Sequence, residues 1–203
     1  IAFAALLAIA QSPAHAAITY FASASNPADN VSLDLTAVPV TPPGAMLAGD
    51  LVILVANSRE TGNTLTISAD GGQTWTSQAA NTTNTSSRIF WARFNGTWST
   101  DPSVAFPGAA NATTVTMHVF RPSSTANGWA LDVAQTSASF AAPAAPRDVT
   151  ITGITTVTDG ALVFASWFSI DDNTWALQTG GWTNAGDAQY RNTDGNDTSQ
   201  SSA

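Results

Sequence analysis

The sequence predicts an all-β chain, an antiparallel β-sandwich or jelly roll of about ten short strands. Three observations predict it. Short stretches alternate apolar and polar residues with the period of two that a half-buried strand requires. Turn-forming Gly, Pro, Asn and Asp separate those stretches at short intervals. Beyond residue 16 no apolar spacing of three and four persists long enough for a helix of ordinary length. A repeat of fixed period is also missing, which argues against a propeller or solenoid.

Residues 1–16 read differently from the rest. IAFAALLAIA is a continuous apolar run, and Ala14-His15-Ala16 after it is a small-residue cleavage pattern. Together they read as the apolar region and cut site of a secretory signal peptide that lacks its basic start. The run is too short to cross a bilayer, which takes about 20 apolar residues. Residues 17–203 then form a single β-sandwich domain, and the chain stops in what reads as a strand, with closing strands expected beyond it.

Strands follow in order. Residues 17–24 (AITYFASA) place Ile18 and Tyr20 on one face, and Asn26-Pro27 breaks them. Residues 31–40 alternate loosely up to Pro42-Pro43-Gly44. Residues 51–56 (LVILVA) are nearly all apolar, as a central strand covered on both faces must be. Leu65 and Ile67 alternate with Thr64, Thr66 and Ser68, and Asp70-Gly71-Gly72 supplies the left-handed-tolerant residues of a tight hairpin turn. Residues 88–94 (RIFWARF) oppose Ile89 and Trp91 to Phe90 and Phe94. Residues 113–121 (TTVTMHVFR) set Val115, Met117 and Val119 against Thr116, His118 and Phe120. Shorter strands are expected at 129–133, 149–154, 162–168 and from 187.

Composition removes several functions. The chain has no Cys, so thiolate catalysis, Cys-bound zinc and thiol redox chemistry are excluded. Its net charge is −8, every basic residue is Arg, and the only Glu is Glu60. Nucleic-acid backbone and anionic membrane surfaces are therefore disfavoured partners. Seven Trp separate the chain from disordered segments of similar Thr, Ser, Asn and Ala content.

Ser68-Ala69-Asp70-Gly71-Gly72-Gln73-Thr74-Trp75 matches the pattern S-x-D-x-G-x-T-W, and in this it resembles the Asp box of sialidases and other families. The resemblance implies a structural hairpin staple built on Ser68, Asp70, Gly72, Thr74 and Trp75. In it the Ser and Asp side chains bond the turn backbone and the Trp packs beneath. Only one copy occurs, and the sialidase set of three arginines with a Tyr–Glu pair has no identifiable counterpart. A longer order, G-D-L-V, D-G-G-x-T-W, R-I-F-W-A-R-F, V-x-M-H-V-F-R and G-A-L-V-F, looks like a β-sandwich module of bacterial secreted or surface proteins and phage virion and tail-associated proteins. It implies an extracellular structural or adhesive role and carries no active site.

The chemistry-bearing residues fit that role. His118 is the single His beyond the leader, and its strand position suits a packed imidazole better than a general base. No G-x-S-x-G elbow exists to place a serine nucleophile. The Asp residues sit mostly at turns, where they cap backbone. Asn192, Asp194, Asn196 and Asp197 alternate oxygen donors as calcium loops do, which makes calcium the one cofactor expectation. Trp98, Trp129, Trp175 and Trp182 lie beside turns. Such Trp residues stack on sugar rings, so glycans are expected partners of a carbohydrate-binding alternative, with other surface or virion subunits as partners of the structural reading. The same Trp residues could instead cap the open ends of the sandwich.

Overall fold

The computed structural model describes residues 2–12, 17–26, 34–108, 112–126, 128–140, 149–171, 173–175, 182, 190–192 and 198–203. Within them the chain is all-β, with thirteen strands paired antiparallel in three sheets. They are β1 (Ala2–Ser12), β2 (Ile18–Asn26), β3 (Ala37–Pro39), β4 (Leu51–Ser58), β5 (Thr66–Ala69), β6 (Thr76–Ser77) and β7 (Ser86–Arg93). After these come β8 (Ser103–Ala105), β9 (Thr114–Pro122), β10 (Gly128–Phe140), β11 (Leu162–Ser169), β12 (Tyr190–Asn192) and β13 (Thr198–Ser202). A front sheet has the order β10-β1-β11-β13-β12, a middle sheet β2-β9-β4-β7-β6, and a small back sheet β3-β8-β5. Among the described residues no helix is long and apolar enough to cross a membrane.

The middle sheet is covered on both faces, which is why its central strand β4 is apolar almost throughout. Leu51, Ile53 and Val55 of β4 face the front sheet with Ile89, Trp91 and Phe120, and there meet Leu7, Ile9, Trp129, Phe164 and Phe168. Val52, Leu54 and Ala56 face the back sheet with Phe90, Phe94, Val115, Met117 and Val119, against Val38, Leu65, Val104 and Phe106. A third cluster lies on the outer face of the front sheet, where Leu6, Ala165 and Trp167 are covered by Val149, Ile151, Ile154, Trp175 and Trp182.

Three of the expected local elements differ in the structure, and residues 2–12 take a place in it. Residues 2–12, read as the apolar core of a leader, lie here as β1 between β10 and β11, with Leu7, Ala8 and Ile9 fully buried. The pairing of β1 with β10 ends at Ser12 opposite Gly128, and that of β2 with β9 begins at Ile18 opposite Pro122. One ribbon thus bends from front to middle sheet, with Ser123 N donating to the Ala17 carbonyl at the corner (2.8 Å). The tight hairpin expected around Asp70-Gly71-Gly72 does not form as a strand pair. β5 pairs with β8 in the back sheet and β6 with β7 in the middle sheet, so the turn carries the chain between layers. Residues 149–154 are not a strand; they run over the front sheet, with the Thr136 hydroxyl bonded to the Thr152 carbonyl (2.9 Å). The strand expected at 129–133 runs on as far as Phe140.

Candidate functional site

The densest polar construction is the crossover at Asp70. Asp70 Oδ1 accepts from Gly72 N (2.8 Å), and its carbonyl accepts from Gln73 N (3.1 Å) and Trp75 Nε1 (2.8 Å). Gly71 and Gly72 have φ of 64° and 82°, the left-handed region where a side chain is strained. A methyl group at Gly71 would also stand 2.7 Å from Trp98 Cε3 and 2.9 Å from the Thr100 carbonyl oxygen. Ser68 and Thr74 are exposed. The remaining bonds come from Gln73 and Asn95, which the eight-residue pattern leaves unmarked. Gln73 is buried; its Nε2 donates to the Thr97 carbonyl (2.7 Å) and Asn95 Oδ1 (3.2 Å), and its Oε1 accepts from Asn95 N (2.9 Å). Asn95 Nδ2 returns to the Gly72 carbonyl (2.8 Å). Trp75 is half-buried against the middle-back core. The Asp-box residues and the Asn95-Gly96 turn therefore form one staple.

A second construction closes the head of β4. Asp50, wholly buried, accepts from Arg121 Nε (3.0 Å) and Nη2 (2.8 Å) and from Leu47 N (2.8 Å). The Arg121 guanidinium carbon lies 3.9 Å from the Phe21 ring centroid on its other side. Hydrogen bonding to Asp50 raises the Arg121 pKa, opposed in part by burial. These two residues are the Asp of G-D-L-V and the Arg of V-F-R, so those motifs are halves of one ion pair.

The four turn-proximal Trp residues separate. Trp129 lies inside β10, is 9% exposed, and donates its indole N–H to the Gly49 carbonyl (2.9 Å). It is a core residue, because the strand begins at Gly128 and carries it under the sheet. Trp98 is half-buried with its ring stacked on Phe94 at 5.0 Å. Trp175 donates to Ser199 Oγ (3.1 Å), and Trp182 meets Trp167 edge-on at 6.2 Å; both are half-buried over the front sheet. Of the calcium candidates, Asn192 ends β12 opposite Thr198, while Asp194, Asn196 and Asp197 lie outside the described residues. Among the described residues no three His, Cys, Asp or Glu gather to hold a metal.

His118 is fully buried, with its ring 5.0 Å from that of Phe164, and burial pushes its pKa down to about 3. Neither ring nitrogen has a hydrogen-bond partner among the described residues. It is a neutral core imidazole, sealed between two sheets. No protein-family model, curated protein or solved structure matches the chain.

Proposed function

We propose that this chain is a non-enzymatic extracellular β-sandwich module with a structural or adhesive role. One observation carries the reading: the polar side chains that the sequence motifs single out are engaged or enclosed within the protein. Asp50 and Arg121 lock each other, Gln73 and Asn95 lock the crossover, and His118 is walled off by Phe164. A general acid or base must reach its substrate within hydrogen-bond distance, and these groups are held by partners within the fold or, as with His118, enclosed in its core. A turnover screen on polysaccharide, ester and peptide substrates is expected to yield nothing. Activity that vanished with a single Asp→Asn substitution would overturn the proposal.

A carbohydrate-binding reading is favoured by a different observation. Trp175 and Trp182 stay half-buried on the outer face of the front sheet, beside Trp167. A ring placed there can offer a face to a sugar while its edge is anchored. A glycan array separates the two readings. Binding that disappears in Trp175→Ala and Trp182→Ala supports the lectin, and binding to no glycan leaves the structural module.

A further inference from the structure

Four buried oxygens line one end of the space between the front and middle sheets. In the middle sheet Asn57 of β4 stands opposite Ser87 of β7 on one side and Thr114 of β9 on the other. All three side chains follow the parity of Val55, Ile89 and Thr116 and so face the front sheet. Across from them, β13 presents Thr198 and Gln200. Asn57 Nδ2 donates to Gln200 Oε1 (2.8 Å), and Gln200 Nε2 donates to the Thr116 hydroxyl. The rest of the row is unpaired. Asn57 Oδ1, Ser87 Oγ, Thr114 Oγ1 and Thr198 Oγ1 have no hydrogen-bond partner among the described residues, and none of the four residues is more than 1% exposed.

Buried polar atoms are nearly always satisfied, by protein or by water. Four side by side therefore point to a ligand, and their chemistry selects it. The set holds no carboxylate, so a divalent cation finds no charge to offset its dehydration. Ser87, Thr114 and Thr198 each bring a hydroxyl proton as well as lone pairs. A monovalent cation would satisfy the lone pairs and strand those protons. A molecule that both donates and accepts satisfies both. The row lies within two residues of the ends of β4, β7, β9 and β13.

We propose that this row is an internal water-binding site, where ordered water bridges Ser87, Asn57 and Thr114 of the middle sheet to Thr198 of β13. Water here holds a strand of Thr, Ser and Gln against the sandwich, a task that an apolar strand performs by packing. The proposal rests on the row alone and is independent of the adhesive or lectin reading.

The isosteric substitutions Thr114→Val and Thr198→Val separate a wet row from a dry one. Removing an unpaired buried hydroxyl stabilises a protein or leaves it unchanged, whereas removing one that anchors water destabilises it. Each variant is expected to lower the folding equilibrium constant of the full chain by about 2- to 10-fold in urea titrations. The exposed Thr66→Val control should leave it unchanged. A high-resolution crystal structure is expected to place water within hydrogen-bond distance of at least two of the four oxygens. An unchanged or raised folding constant in either variant overturns the proposal, as do direct protein partners for the four oxygens. Replacing sodium by tetramethylammonium at constant ionic strength should not move the midpoint; a midpoint that follows the cation assigns the row to a metal ion instead.

Discussion

Asp50 lies at the head of β4 with both carboxylate oxygens bonded, and Arg121 stands against it with Phe21 across its other face. Asp50→Ala leaves a partly solvated guanidinium without its counter-charge and a Leu47 N–H without its acceptor, and should destabilise the fold by about 1–3 kcal/mol in chemical denaturation. His118 predicts a pH dependence. Its folded pKa of about 3 lies below the ordinary 6.5, so between these values the unfolded chain takes up a proton that the folded one refuses. Stability from this group is complete above about pH 6.5 and is lost as pH falls towards 3, by up to about 1.4 kcal/mol per unit. His118→Leu should flatten the wild-type slope between about pH 6.5 and 4.5; equal slopes in both proteins would show that His118 titrates freely. The sequence placed His118 on the right face of its strand, opposite Val115 and Met117. It could not give the pairing of Asp50 with Arg121, because 71 residues separate them and nothing local links a turn carboxylate to a strand-end guanidinium.

At the scale of the element, the Asp70 crossover shows what a motif conveys and what it hides. Its turn residues were legible, because only Gly tolerates φ of 64° against the Trp98 ring. Its partners were not. Gln73 occupies a position the box leaves open, and a Gln between turn residues reads as exposed until Asn95 is folded beside it. The destination of the strands was equally hidden, since alternation fixes faces and says nothing about which neighbour each strand pairs with. Gln73→Ala should therefore cost about 2–3 kcal/mol, through a buried amide that bonds two strand connections. Ser68→Ala, at an exposed site, should fall within about 0.5 kcal/mol of wild type. Thermal melts of the pair decide between this staple and the one the resemblance implied, in which the Ser68 side chain bonds the turn backbone. Gly71→Ala combines strain with a clash and should fall below both.

Across the whole molecule, the all-β class, the double-sided burial of β4 and the facing of β7 and β9 were legible because they follow from period and composition. The three-layer arrangement was not, and the first ten residues show why. A continuous apolar run fits the core of a leader and a strand covered on both faces equally well, since both select for uninterrupted apolar side chains. In the fold, Leu6, Leu7 and Ile9 are 3%, 0% and 0% exposed. Burial of each is worth roughly 1.5–3 kcal/mol, and β10 and β11 would lose their shared pairing partner with the strand. Domains of this kind are stable by only about 5–15 kcal/mol, so loss of β1 would remove a large share of that margin. Cleavage after Ala16 would carry β1 away, which makes retention of this strand and removal of a leader competing fates for the same residues. Leu7→Ala in the full chain discriminates between them without truncating anything. If β1 holds the centre of the front sheet, the substitution costs about 2–5 kcal/mol and lowers the urea midpoint. If the segment is only a passenger to be removed, the midpoint stays where it was. A loss in Leu7→Ala together with failure of a chain beginning at Ala17 to unfold cooperatively would fix β1 as part of the folded protein.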